Sequence, residues 1–256
     1  MAANDALLVV QDIVVRFSGI VALDGVTFDV EAGKIVGLIG PNGAGKTTLF
    51  NCLSCLYRPV SGAITFAGRS LLGLSRYRIA EMGICRTFQN LALFSTMSVL
   101  ENVMLGVHSR TRTGFLSQAL RLLQARREES FIHDQAMQAI SFLSLEHLAG
   151  HPAAGLPYGT LKRIEIARAL AGAPKLLLLD EPAGGLNHEE VTELAGLLRQ
   201  IRDRLKVTVL LVEHHMNLVM QVSDRVVVLD FGRKIAEGPP AQVQRNAEVI
   251  RAYLGR

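Results

Sequence analysis

The segment Gly40-Pro-Asn42-Gly43-Ala44-Gly45-Lys46-Thr47, followed by Thr48, has the spacing G-x-x-x-x-G-K-[ST]. It lies between a short apolar run, Ile35–Ile39, and a segment of helical character, Lys46–Leu56. The glycines let a backbone wrap a chain of phosphates without Cβ clashes and turn successive N–H groups inward as an anion nest. A loop that opens a helix adds the partial positive charge of the helix start. In such a loop Lys46 reaches the β- and γ-phosphates, and the Thr47 hydroxyl is an oxygen ligand of the kind Mg²⁺ favours.

A second cluster is Lys175-Leu-Leu-Leu-Leu-Asp180-Glu181-Pro182, an apolar strand ending in two acids. In a parallel sheet the strand C-termini line the ligand crevice, which would set this pair beside the phosphate loop. Asp180 then suits Mg²⁺, held through water. Glu181 is placed to orient or deprotonate the water that attacks the γ-phosphate, a role worth roughly 10²–10⁴-fold in rate. An acid that caps a turn is the plainer reading of either residue alone, and their register with the phosphate loop gives the pair its chemical meaning. Cys52 and Cys55 spell C-x-x-C, but they fall in an apolar helix with no second pair for zinc, so they read as core residues.

These groups need strands and helices in alternation to hold them. Leu8–Phe17, Val26–Val30, Ile35–Ile39, Ala63–Phe66 and Ile84–Phe88 read as strands, with Ser75–Met82 a helix. From about Asn90 to Leu156 the β-branched runs give way to helical spacing, with helices over Val99–Val107, Phe115–Leu123 and Arg127–Leu143. Alternation resumes with a helix over Tyr158–Ala171, a strand over Lys175–Leu179, a helix over Glu189–Arg204 and a strand over Val207–Val212. A hairpin, Arg225–Asp230 and Arg233–Ala236, turns at Phe231-Gly232. The pattern is an α/β core interrupted by an inserted helical region.

Composition bounds the reading. The 256 residues are 49% hydrophobic and 20% charged, enough to bury a sizeable core and too apolar for a disordered chain. Mean hydropathy is +0.28, yet no apolar run approaches the roughly 20 residues of a spanning helix. Met1–Val10 lacks the basic start and long apolar stretch of a signal peptide, so no leader is expected. The 3 cysteines argue against a disulfide framework. A net charge of +4 permits phosphates, nucleic acid or an anionic surface and selects none.

Taken in order along the chain, the motifs resemble the ATP-binding cassette (ABC) family, and the likeness covers nearly its whole length. Gly40–Thr48 matches the Walker A loop, and Leu179–Glu181 the end of Walker B with its catalytic glutamate. Gln89, in Arg-Thr-Phe-Gln, is similar to the Q-loop glutamine, which implies a place at the metal and a link to the helical region. His214, in Leu-Val-Glu-His, is similar to the switch histidine that contacts the γ-phosphate. Phe17 stands where the family stacks an aromatic ring on adenine; by itself it reads equally as a core residue.

Leu156-Pro-Tyr-Gly-Thr aligns with the signature L-S-G-G-Q. Pro157, Tyr158 and Thr160 depart from it and Gly159 is kept, so Tyr158 and Gly159 would meet ATP through backbone N–H groups. Asn187 stands where the D-loop usually has Asp. The resemblance implies a P-loop NTPase fold with a RecA-like core, an antiparallel β subdomain and an inserted helical subdomain. It divides the chain into 1–89 and 157–240 (catalytic core with β subdomain), 90–156 (helical subdomain) and 241–256 (a C-terminal helix). It also implies ATP and Mg²⁺ as ligands and a second cassette, identical or different, whose signature closes over this chain's nucleotide.

Within the family, Arg86-Thr-Phe-Gln-Asn, the signature followed by Arg-Ile-Glu-Ile-Ala-Arg, and Val212-Glu-His-His-Met-Asn-Leu-Val-Met look like the cassettes of branched-chain and other hydrophobic amino acid importers. The ending Val249-Ile-Arg-Ala-Tyr-Leu-Gly agrees. Such a cassette sits peripherally at the cytoplasmic face of the inner membrane, under integral permease subunits, with a periplasmic binding protein serving it indirectly. Phe88, Leu93, Phe94 and Met97 are candidates for the apolar groove that receives a permease helix, or for the helical subdomain's own core. Urea, amide, aromatic-acid and lipopolysaccharide-export cassettes share the plan. The alternative from another class is a soluble ABC ATPase of iron–sulfur assembly or nucleic-acid processing. Neither long heptads nor a second cassette copy supports it, and no nucleic-acid partner is expected.

Overall fold

In a strand buried on both faces, successive side chains must enter two different cores, and this alternation sets the layers of the molecule. The computed structural model describes residues 6–87, 91–110 and 123–254. Strand β7 (Leu176–Asp180) is buried throughout. Its Leu176 and Leu178 join one core, and Leu177 and Leu179 the other. Strands β3 (Ile35–Ile39) and β8 (Thr208–Val212) behave the same way: Val36, Leu38, Leu210 and Val212 face the first core, and Ile35, Ile39, Val209 and Leu211 the second.

The first core lies under a four-stranded antiparallel sheet of order β2-β1-β4-β5, formed by β1 (Ala6–Phe17), β2 (Ile20–Glu31), β4 (Ser61–Phe66) and β5 (Arg69–Ser70). Helix α1 (Lys46–Leu53) contributes Leu49, Phe50, Cys52 and Leu53 to the same core. The central sheet has the order β10-β9-β3-β8-β7-β6, with β6 (Ile84–Arg86), β9 (Arg225–Asp230) and β10 (Arg233–Gly238). All its neighbours are parallel except the terminal β9–β10 hairpin.

Beneath the opposite face lies the second core, built with α3 (Val99–Met104), α4 (Leu123–Phe142), α5 (Tyr158–Ala171), α6 (His188–Leu205) and α7 (Met216–Val222). The short helices α2 (Arg76–Glu81), α8 (Pro240–Val243) and α9 (Ala247–Leu254) complete the described elements. No helix among the described residues is long and apolar enough to cross a membrane.

Several expectations need adjusting. Helix α1 ends at Leu53 rather than Leu56, because Cys55 takes a left-handed backbone (φ 52°) and Leu56 N–H turns back to Asn51 O. The helix expected over Val99–Val107 stops at Met104 and tightens into a 3₁₀ stretch, Leu105–Arg110, where Gly106 lies against the Arg168 carbonyl. The Phe115–Leu123 helix falls outside the described residues up to its last position, where α4 begins.

The C-terminal helix expected over 241–256 is divided into α8 and α9. Asn246 parts them, its Oδ1 accepting the N–H groups of Glu248 and Val249. Strand β5 and helix α7 were not anticipated; both are too short to show a period. Of the groove candidates, Phe94 is exposed and Leu93 packs against the second core, while Phe88 lies outside the described residues.

The C-x-x-C pair is a core feature. Cys52 is fully buried, and Cys55 points its Sγ at the Leu71 carbonyl at 3.2 Å. Burial, together with the neighbouring Cys55, pushes the Cys52 thiol up to about 12. Thiolate is the reactive form, so alkylation of native Cys52 by iodoacetamide at pH 8 should run about three orders of magnitude slower than in urea. Mass-spectrometric mapping of the alkylated peptide measures this, and rapid native labelling would contradict the buried placement.

Candidate active site

The phosphate-loop segment leaves β3 at the edge of the sheet where β7 and β8 also end. Gly45 caps α1 with a left-handed backbone (φ 99°), and a Cβ there would stand 2.7 Å from both Ala22 O and Leu23 Cδ2. Only glycine lets the loop pass β2 this closely. The turn between β9 and β10 ties the loop from behind, with Gly232 N–H donating to Ala44 O at 3.1 Å.

Asn42, Gly43 and Thr47 are exposed, Thr48 is half-buried, and Ala44 is buried with its N–H turned onto Pro41 O. Lys46 is buried and folds back on its own loop, donating to Gly40 O at 2.7 Å and Pro41 O at 2.9 Å. Burial holds its ammonium below the usual lysine range, and the Glu181 and Asp180 carboxylates oppose that shift.

Asp180 ends β7 and is buried. Its Oδ2 forms an ion pair with Arg86 Nη2 at 2.7 Å. The same guanidinium donates from Nη1 to Asn51 Oδ1 at 2.8 Å and Ser54 Oγ at 3.1 Å, and lies 5.5 Å from the Phe50 ring centroid. One half-buried arginine thus joins the end of β6 to α1 and to the acid of β7.

Glu181 follows in a left-handed conformation (φ 49°), its N–H donating to Val212 O at 2.9 Å. The side chain turns to His214, with Oε1 2.8 Å from Nε2. Three residues chosen from the sequence for phosphate chemistry, Lys46, Glu181 and His214, therefore meet Asp180 at one sheet edge. Such a set offers a cation and a backbone nest for an anion, beside a carboxylate and an imidazole able to order and deprotonate water.

Gln89 lies outside the described residues. The chain leading to it is anchored at Thr87, whose N–H donates to Leu178 O at 3.0 Å. Phe17 is a surface residue at the end of β1, 42% exposed, so the core reading of it fails. Its ring meets Tyr57 edge-on at 5.1 Å. The same β1–β2 hairpin supplies Ala22 and Leu23, which back Gly45.

Tyr158 and Gly159 open helix α5, whose N-cap, Pro157, offers no side-chain cap. They pack toward the segment that follows β7. A Cβ on Gly185 would come 2.9 Å from the Tyr158 ring, and Gly159 leaves room for the Glu190 carboxylate. Asn187 caps α6: its Oδ1 accepts Glu190 N–H at 3.0 Å, and Glu190 Oε2 accepts Asn187 N–H at 2.8 Å. The residue at the D-loop position is thus a helix cap.

Sequence reasoning missed Arg86 and Glu213. Glu213 is buried and accepts backbone N–H groups from Ala183, His214 and His215. The available signal was the one used for Asp180: a charged residue at the end of an apolar strand.

A family profile described as "ABC transporter" matches residues 23–184, and one described as "Branched-chain amino acid ATP-binding cassette transporter" matches residues 233–256. The chain is 44% identical to the high-affinity branched-chain amino acid transport ATP-binding protein LivG of Salmonella typhimurium, over 98% of this chain and 99% of that one. It is 42% identical to the corresponding protein BraF of Pseudomonas aeruginosa, over 97% and 98%. Among solved structures, an ABC-transporter cassette in its ADP conformation superposes with a TM-score of 0.86 at 29% identity, covering 99% of this chain and 100% of that one. A nucleotide-free cassette superposes at 0.84, also with 29% identity, covering 98% and 100%.

The Arg86–Asp180 pair generates a stability test. Arg86→Ala leaves a buried carboxylate without this cation and should cost about 3–5 kcal/mol in urea unfolding. Arg86→Ala combined with Asp180→Asn should recover most of the loss. Equal losses in the single and double variants would mean that the loss does not arise from an orphaned Asp180 carboxylate.

Proposed function

From the premise that the chain belongs to the ABC transporter ATP-binding family, we propose that it powers an importer of branched-chain or other hydrophobic amino acids by hydrolysing ATP. The hydrolytic reading is carried by one observation, the 2.8 Å contact between Glu181 Oε1 and His214 Nε2 beside the phosphate loop. Glu181 takes the proton of the attacking water. His214 holds that carboxylate in place and faces the γ-phosphate. Lys46 leaves the carbonyls of Gly40 and Pro41 for the β- and γ-phosphates, exchanging neutral acceptors for charged ones. Loop N–H groups from Asn42 to Thr48, other than that of Ala44, cradle the phosphates, and Phe17 stacks on the adenine.

The donor set fits Mg²⁺, since the Thr47 hydroxyl and the Asp180 carboxylate are both hard oxygen ligands, with Gln89 as the third residue assigned there. When bound with ATP, the ion would neutralise phosphate charge. Asp180 is held ready by Arg86, which fixes its orientation and offsets the cost of burying it.

The substrate class rests on the relatives, which are named as branched-chain amino acid transport proteins and match over almost their full length. Their names favour transport over iron–sulfur or nucleic-acid work. We assign residues 1–89 and 157–240 to the catalytic core with its β subdomain, 90–156 to the helical subdomain and 241–256 to the C-terminal segment. A cleft of about 560 Å³ between core and helical segment, lined by Ile79, Ile84, Phe94, Leu105, Arg76 and Arg168, supports docking of a permease helix. A second cassette would present its Tyr158 and Gly159 N–H groups to this chain's ATP. The assembly would hold the subunit peripherally at the cytoplasmic face of the inner membrane, with a periplasmic binding protein delivering the solute.

Replacing Glu181 by Gln should preserve ATP binding and lower turnover by roughly 10²–10⁴-fold. Lys46→Ala should weaken ATP binding itself. Filter binding and phosphate release from the assembled transporter separate the two effects. Wild-type ATPase in Glu181→Gln would remove Glu181 from its role.

A further inference from the structure

Glu213 has no part in the mechanism above, yet it joins the two loops on which that mechanism depends. It follows β8 directly and precedes His214, with only 2% of its surface exposed. Its Oε1 accepts Ala183 N–H at 2.6 Å. Its Oε2 accepts His214 N–H at 3.0 Å and His215 N–H at 3.1 Å. One carboxylate therefore bridges the loop after β7, which carries Glu181, and the loop after β8, which carries His214.

The bridge begins where the sheet stops. The last backbone bond joining these two chain segments runs from Glu181 N–H to Val212 O, and Glu213 is the next residue. Past that point the strands diverge into loops with no ladder to hold them at a set separation. Hydrogen bonds to a carboxylate are shorter and roughly twice as strong as neutral ones. Burial adds to this, because an oxygen that lost its N–H partner would have no water to replace it. Glu181 also sits in left-handed backbone that a non-glycine residue rarely adopts, so its loop needs an outside restraint.

A cap for α7 alone would require only Oε2 on His214 and His215. The bond from Ala183 to Oε1 is unnecessary for that purpose, and it spans 30 residues of sequence.

We propose that Glu213 is a positioning residue for ATP hydrolysis: its carboxylate clamps the loops after β7 and β8 so that Glu181 Oε1 and His214 Nε2 meet. The proposal rests on the reading of Glu181 and His214 as the hydrolytic pair. Glu213→Gln is the discriminating variant. Whichever way its amide faces, one arm of the clamp presents an NH₂ group to a backbone N–H.

The test measures steady-state ATP turnover in the assembled transporter and, on the full chain, affinity for a fluorescent ATP analogue, thermal unfolding and the His214 imidazole resonances, assigned by their loss in His214→Ala. Displacing a catalytic group by about 1 Å can cost about 10²-fold, so kcat should fall by that order while KM for ATP stays within about two-fold. Analogue affinity should remain near wild type, whereas the thermal midpoint should fall by several degrees, because one buried arm of the clamp is lost. The His214 resonances in Glu213→Gln should move in the same direction as in Glu181→Gln, which removes the same contact from its other end.

Unchanged kcat, equal losses in analogue affinity and kcat, or His214 resonances left at their wild-type positions would overturn the clamp. If Glu213→Gln does not fold, Glu213→Asp, one methylene shorter, carries the same readouts. Wild-type turnover in Glu181→Gln would sink the hydrolytic reading alone, because the resonance comparison still reports whether Glu213 sets His214.

Discussion

The site depends on the parallel register of three strands. Leu38 of β3 is paired with Val212 of β8, and Val212 with Asp180 of β7. One line across the sheet therefore sets the level at which the phosphate loop, the Asp180-Glu181 pair and the Glu213-His214 pair leave it. A slip of one residue in any of these strands would exchange its two faces and turn leucines of one core toward the other. Strands buried on both faces tolerate no such slip, because each side chain already has a fitted place in close-packed surroundings. The chemistry is thus positioned by residues that take no part in it.

Placing charge at that edge brings a second constraint, since Lys46, Asp180 and Glu213 are all buried. Each is satisfied by a different device. Lys46 rests on carbonyls of its own loop, Asp180 on an arginine from the neighbouring strand, and Glu213 on backbone N–H groups. Desolvation that would be costly for an isolated ion becomes a source of order when each group has a partner in a fixed place. The arginine has a further consequence. Through Asn51 and Ser54 it attaches Asp180 to α1, the helix that the phosphate loop opens. The two halves of the candidate site are joined through it as well as through the sheet.

Much of this was readable in sequence, and the exceptions have a common cause. Strands β3 and β9 and helix α5 run over the residues that their apolar patterns marked, because those patterns are local and burial enforces them. The phosphate loop was legible for the same reason: its glycines answer to contacts with backbone close at hand. Arg86 and Asp180 are 94 residues apart, and no spacing rule links them. Glu213 was visible as a charge after an apolar strand, but its bond to Ala183 exists only once β7 and β8 are neighbours. Local pattern therefore named the acids and bases, whereas the groups that hold them in place emerged only with the topology.

The departures in the signature and D-loop follow the same logic. Read as motif positions, Tyr158 and Asn187 are losses of a glycine and of an acid. In the folded chain the Tyr158 ring covers Gly185, whose backbone (φ 79°) suits a residue without a side chain. Asn187 closes a reciprocal cap with Glu190, and the Glu190 carboxylate fills the space that Gly159 leaves. The start of α5 and the start of α6 are thereby packed through side chains that a different signature would not provide. Pro157 contributes fixed backbone at the N-cap in place of a capping hydroxyl, leaving the first N–H groups of α5 without a side-chain acceptor. On the proposed reading of this motif, those N–H groups are the part that would receive an anion, while its side chains serve packing.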